Sequence, residues 1–87
     1  MYAIKWSYTA VHHSAESDCW LITAHHGNGD QVGDAEWEEV KADALDTARA
    51  YLDSDRCDAI HVYTKDGRLQ ANMSNRVSGA APFGGAK

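Results

Sequence analysis

The apolar positions of this chain change their period, from strand alternation at both ends to helix spacing in the middle. Between Trp37 and Asp53 the apolar residues recur with the period of a helix, and at about 100° per residue they fall within an arc of roughly 140°. An arc of this width predicts one helix packed across a sheet. The residues in the arc are Trp37, Val40, Ala44, Leu45, Ala48, Tyr51 and Leu52.

Two alternating segments precede this helix and predict a β-hairpin. The first runs from Tyr2 to Val11 and the second from Cys19 to His25, with a polar loop between them. A hairpin centred near Glu16 places the even-numbered apolar residues of both strands on one face, which the helix would cover. In that register Tyr8 pairs with Ala24, Ala10 with Ile22 and His12 with Trp20.

The segment between the first hairpin and the helix permits two interpretations. A strong turn signal, Gly27–Asp30, is followed by residues 31–40. In one interpretation Asp34 caps a helix that begins at Ala35. In the other, residues 31–40 form a short extra strand and the helix begins nearer Ala42.

A second hairpin is predicted after the helix. Alternation from Ala59 to Lys65 leads into the two-residue turn Asp66-Gly67 and a last strand from Arg68 to Met73. Pairing Lys65 with Arg68 puts Ile60, Val62, Thr64, Leu69, Ala71 and Met73 on one face.

The predicted fold class is therefore α+β. It is an antiparallel four-stranded sheet made of two hairpins, with one helix packed across one face, in the order strand, strand, helix, strand, strand, and with an extra short strand before the helix as the open alternative. Residues 1–73 form a single domain, and residues 74–87 form a flexible tail rich in glycine and alanine. The other sheet face is mostly polar, so both a monomer and a homodimer are compatible with it. Its predicted residues are Lys5, Ser7, Thr9, Thr23, His25, His61, Tyr63 and Gln70.

Several short motifs resemble the domain of unknown function 2188 family of short bacterial and phage proteins. The matching stretches are Val11-His12-His13, Trp20-Leu21-Ile22, Ala44-Leu45-Asp46-Thr47-Ala48-Arg49, Ile60-His61-Val62 and Asp66-Gly67-Arg68. The resemblance implies the strand interpretation for residues 37–40 and the same strand and helix order. It implies no activity.

The apolar segments and the cysteine count indicate where in the cell the protein is located. There is no apolar run of about 18 residues and no signal-peptide layout at the start, so we expect no membrane span and a cytoplasmic protein. Two cysteines, Cys19 and Cys57, are too few for a disulfide framework and are expected to be reduced.

Five histidines raise the question of a metal site. They are His12, His13, His25, His26 and His61. Adjacent residues in a strand point to opposite faces, so neither histidine pair can chelate one ion. In the predicted hairpin only His13 and Cys19 face each other. As a metal site this pair supplies only two ligands. As a Cys-His nucleophile pair it lacks an evident oxyanion hole. With no nucleotide-binding or hydrolase motif present, the sequence predicts no metal, no cofactor and no enzyme.

The acidic residues are concentrated around the helix. The formal net charge is −5, and carboxylates on one helix face either keep a small protein soluble or dock on a basic partner, where they imitate a row of phosphates. The predicted partner-binding residues are Glu36, Glu38, Glu39, Asp43, Asp46 and Asp53. Nucleic acid is an unfavourable ligand, because the candidate stacking residues Tyr2, Trp6, Tyr8 and Trp20 are assigned to the covered face and no basic stripe exists.

These features, together with the resemblance to short bacterial and phage proteins, predict a small, non-enzymatic interaction protein encoded by a phage or mobile element. It would bind and inhibit a host protein complex with a basic surface, such as a nucleic-acid-handling or defence complex of the CRISPR effector kind. The alternative is a housekeeping domain that binds single-stranded nucleic acid or a metal through the uncovered sheet face.

Overall fold

The computed structural model describes residues 5–74, which form a five-stranded mixed sheet with one helix across one face. The sheet order is β3-β2-β1-β4-β5. The predicted α+β class is confirmed. The elements are β1 (Tyr8–Ser14), β2 (Cys19–His25), β3 (Gln31–Glu38), α1 (Lys41–Asp53), β4 (Ala59–Tyr63) and β5 (Leu69–Ser74).

The observed sheet differs from the predicted four-stranded sheet in two respects: the extra strand that the sequence left open is present, and the purely antiparallel arrangement is wrong. Residues 31–38 add the strand β3, and β4 pairs with β1 in parallel, with Tyr8 opposite Ala59 and Val11 opposite Val62. A parallel pair needs a long crossover connection. Here β2, β3 and α1 supply it, because the chain leaves one edge of the sheet, crosses the face as α1 and returns beside β1.

The start of α1 confirms the strand interpretation of residues 31–40 and contradicts the longer helix. Trp37 lies in β3, opposite Leu21, and is 60% exposed. Val40 is the N-cap, with an extended backbone (φ −117°, ψ 136°) and no side-chain capping bond. Their predicted places on the apolar stripe of the helix are therefore wrong, since ladder hydrogen bonds to β2 hold this segment extended until Glu38.

The pairing register of the first hairpin differs from the predicted register by one residue. Its loop is Ala15–Asp18, Asp18 has a left-handed φ of 52°, and Val11 pairs with Ile22. A slip of one residue moves every side chain of a strand to the other face. The predicted covered positions Tyr8, Ala10 and His12 consequently lie on the face away from α1, which we call the open face, and Thr9, predicted there, lies beneath the helix.

The second hairpin keeps part of its predicted register. Ile60 pairs with Met73 and Val62 with Ala71, as predicted. The loop has three residues instead of two, because the Thr64 amide donates to the Arg68 carbonyl at 2.8 Å and Gly67 takes φ 89°. Gln70 is then an extra residue in β5, Tyr63 pairs with Leu69, and the predicted inward position of Leu69 is wrong.

The core lies between α1 and the sheet. Alanines 44 and 48 are fully buried, so the helix backbone approaches the sheet closely. Thr9, also beneath the helix, accepts a hydrogen bond from the Trp6 indole at 2.8 Å and donates to the buried thiol of Cys57 at 3.2 Å. The other core residues are Val11, Trp20, Ile22, Leu52, Ile60 and Val62.

Two predictions concern residues outside the described part of the chain. Residues 1–4, the start of the predicted first strand, and residues 75–87, nearly all of the predicted tail, lie outside it; Ser74 ends β5. Among residues 5–74 no helix has the length and apolar character needed to cross a bilayer.

Candidate functional site

The six predicted partner-binding carboxylates lie on the α1 side of the sheet. We call them the acidic surface. Glu36 and Glu38 belong to the edge strand β3, opposite the core residues Ile22 and Trp20, so their side chains stand on the helix side. The other four occupy the helix and the residue pair that precedes it, and all four are exposed; they are Glu39, Asp43, Asp46 and Asp53.

The β3 carboxylates bind α1 side chains. The Tyr51 hydroxyl donates to Glu36 Oε2 at 2.6 Å, and the Thr47 hydroxyl lies 3.5 Å from Glu38 Oε2. The Glu36 hydrogen bond, with burial and the Glu36 charge, raises the pKa of Tyr51 to about 12, while Arg56 opposes the rise. Tyr51 therefore stays protonated at neutral pH and holds the β3 edge against the helix.

The helix cations do not neutralise the acidic surface. Lys41 Nζ lies 4.9 Å from the centre of the Trp20 ring and donates to the Gln70 side chain. An Arg49 nitrogen lies 3.8 Å from the Met73 sulfur. Both point toward the sheet, and within residues 5–74 none of the six carboxylates makes an ion pair, since the pairs there join Lys5, His13 and Arg68 to other acids.

A cavity of about 360 Å³ adjoins the acidic surface at Glu36. It lies where β3 bulges away from β2, since Ala24 pairs with Val32 but Ile22 pairs with Glu36. Its walls combine apolar and aromatic groups with charged groups of both signs, a composition suited to a long side chain with a polar end. The lining includes Trp6, Ile22, Val32, Asp34, Tyr51 and Arg56.

The open face carries an aromatic cluster that the sequence did not reveal. Tyr8 stacks between two histidines, with ring centres 4.9 Å from His25 and 4.2 Å from His61. The sequence did not predict this cluster because the predicted register, wrong by one residue, placed Tyr8 under the helix. The available signal was the pairing of the large residues Val11 and Ile22, which a four-residue loop permits and the predicted loop does not.

A hydrogen-bond chain adjoins this cluster, and one carbonyl fixes its direction. Gly29 O accepts from His25 Nδ1 at 3.0 Å, so neutral His25 carries its proton on Nδ1. His25 Nε2 then accepts from the Thr23 hydroxyl at 2.7 Å, and Thr23 accepts from His12 Nε2 at 3.2 Å. The buried Thr23 hydroxyl therefore links His12 to His25, accepting from one imidazole and donating its single proton to the other.

This arrangement predicts an acid-sensitive fold. Burial, and secondarily the charge of His25, lowers the pKa of His12 below its ordinary value of 6.5. Because the unfolded chain then binds more protons than the folded one, the free energy of unfolding falls as the pH drops through and below that value. Urea titrations across this range should show a weaker pH dependence for His12→Gln, which keeps an N–H donor but does not titrate.

The exposed His26 supplies the matched control for this prediction. Its side chain has no partner on the described chain, so His26→Gln should retain the pH dependence of the unmodified protein. An identical pH dependence in both variants would contradict the role given to His12.

The predicted proximity of His13 and Cys19 is wrong. His13 pairs with Trp20 on the helix side, its Nε2 lies 3.2 Å from Asp18, and the buried Cys19 pairs with Ser14 and points to the opposite face. They cannot act as a nucleophile pair from two faces of a sheet. Over residues 5–74, no three histidine, cysteine or acidic side chains converge as metal ligands.

No protein-family model, no curated protein and no solved structure matches this chain significantly. The resemblance to the domain of unknown function 2188 family stays a prediction.

Proposed function

We propose that this protein is a non-enzymatic interaction protein that binds a basic surface of a partner protein through its acidic surface. The observation that carries this proposal is the position of six carboxylates on one side of the molecule, none of them in an ion pair on the described chain. Unpaired carboxylates keep their charge available for a partner, where complementary charges accelerate association and select the partner.

The helix arranges three of these carboxylates in a row. Asp43, Asp46 and Asp53 stand on its solvent side, within about 80° at 100° per residue. At about 1.5 Å per residue, the row spans roughly 15 Å along the helix axis. Glu36 and Glu38 lie beside this row on β3, so the acidic surface is wider than a single row of carboxylates.

A partner whose surface has a groove that binds phosphates fits this patch best. The lysine and arginine side chains that line such a groove attract aligned carboxylates as they attract phosphates, because both groups carry negative charge. Occupation of that groove would inhibit a nucleic-acid-handling or defence complex of a host, such as a CRISPR effector. The cavity beside Glu36 adds an apolar contact for the stem of one basic side chain, through Trp6 and Tyr51.

The test is affinity capture from a nuclease-treated bacterial lysate at low and high salt, followed by affinity measurements with the recovered protein. Asp43→Lys with Asp46→Lys should weaken binding at least about tenfold, or about 1.4 kcal/mol. Binding should also weaken with salt, because exposed charges are screened.

The matched control compares single charge reversals. Glu16 is exposed in the first hairpin loop and is not one of the six carboxylates of the acidic surface, while Glu16→Lys changes the net charge as much as Asp46→Lys does. Glu16→Lys should leave the affinity nearly unchanged. Equal losses for the two variants, or recovery of nucleic acid without a protein, would refute the proposal.

A further inference from the structure

The open face leaves large side chains in contact with solvent. Trp37 is 60% exposed on one edge strand and Leu69 is 54% exposed on the other. On the three strands between these two edge strands, the rings of His25, Tyr8 and His61 stack on one another across β2, β1 and β4. The face therefore offers an aromatic and aliphatic surface that runs the full width of the sheet.

Charge is segregated between the two sides of the molecule. No aspartate or glutamate stands at an open-face position of the five described strands, whereas the α1 side carries the acidic surface. The whole chain has a formal charge of −5, so two copies repel each other through most of their surfaces. The open face is the side on which two copies meet without that repulsion.

We propose that the open face binds the open face of a second copy of this chain, forming a two-fold symmetric sandwich of two sheets. Five strands about 4.8 Å apart, each about 20 Å long, give a face of about 500 Å². Two such faces bury about 1,000 Å², the lower limit for a specific interface. The dimer is accordingly weak, with a dissociation constant on the order of micromolar.

The histidines make this dimer sensitive to acid. The titratable groups facing one another on this side are Tyr8 and His12 of β1, Cys19 and His25 of β2, and His61 and Tyr63 of β4. At open-face positions β3 presents Gln31 and Trp37, and β5 presents Leu69 and Asn72, none of which titrates. Positively charged imidazoles in the two copies repel each other, because no carboxylate of the described strands stands on this face to compensate.

Sedimentation velocity of the full chain over a concentration series tests the proposal. We expect a monomer to dimer transition near neutral pH, and at least about a tenfold loss of dimer affinity at about pH 5, below the ordinary pKa of a histidine side chain. Trp37→Lys should weaken the dimer by a similar factor. A chain that stays monomeric at about 1 mM, far above the expected dissociation constant, or a dimer unchanged by acid, would overturn the proposal.

Val40 gives the matched control, because it is exposed like Leu69 but precedes the helix and is not on the open face. Val40→Lys should leave the dimer unchanged while Leu69→Lys weakens it, and equal effects would overturn the proposal. Asp46→Lys should also leave it unchanged, which separates this interface from the acidic surface. Tight binding of a single-stranded oligothymidine, lost in Trp37→Lys, would instead assign the face to nucleic acid.

Discussion

Replacing Ile60 by alanine is expected to lower the free energy of unfolding by about 2–5 kcal/mol. Ile60 is fully buried in β4, opposite Met73 of β5 and beside Thr9 of β1, and it belongs to the cluster beneath α1. Removal of its outer carbons loses their transfer free energy and leaves a cavity. The rigid sheet around it cannot collapse to fill that cavity.

The loss is large for a chain of this size. At about 0.05–0.15 kcal/mol per residue, 87 residues provide roughly 4–13 kcal/mol in total. Urea unfolding followed by tryptophan fluorescence measures the change. Leu69→Ala in the neighbouring strand removes an aliphatic side chain that is 54% exposed, and should cost less than about 0.5 kcal/mol at low protein concentration. Equal losses at the two positions would contradict the assignment of Ile60 to the core.

Enlarging Ala48 to leucine is expected to destabilise the protein by about 1–3 kcal/mol. Ala48 is fully buried on the face of α1 that contacts the sheet, one turn after the equally buried Ala44. A leucine here needs space that is already filled, so either the helix lifts from the sheet or its neighbours leave their rotamers. Thermal unfolding reports the cost as a melting temperature lower by about 4–8 °C per kcal/mol.

The same helix contains the control. Ala50 is exposed, so Ala50→Leu carries the same change in helix propensity without entering the core. Its melting temperature should stay within about 2–4 °C of that of the unmodified protein, corresponding to about 0.5 kcal/mol. A similar fall for both variants would show that propensity, not packing, limits residue size on this helix.

The acidic surface was predictable because its residues are close in sequence. Asp43, Asp46 and Asp53 share a helix face whatever the sheet beneath them does, since the helix period alone determines their direction. Glu36 and Glu38 were predicted at the start of the helix and on its solvent side, but they lie in β3. They stand on the α1 side because they pair with the core residues Ile22 and Trp20 of β2.

The open face was not predictable in the same way. The stretch from Tyr2 to Val11 alternates, but alternation fixes only which residues share a face and not which face is covered. A shift of one residue in the register of the first hairpin exchanged the two faces of β1 and moved Tyr8 out of the core. In the second hairpin, the extra residue Gln70 likewise moved Leu69 to the open face. The pairs of Ile60 with Met73 and of Val62 with Ala71 were predicted correctly.

The sequence by itself determined the α+β class, the helix from Ala42 to Leu52, the strand Cys19–His25 and the acidic surface, because each follows from the period or composition of a continuous stretch. Only the tertiary structure decided the parallel pairing of β1 with β4, the strand order and the faces of the hairpins. These depend on contacts between distant segments, where burying Val11, Ile22 and Ile60 together against α1 selects one register among several with equal local preference.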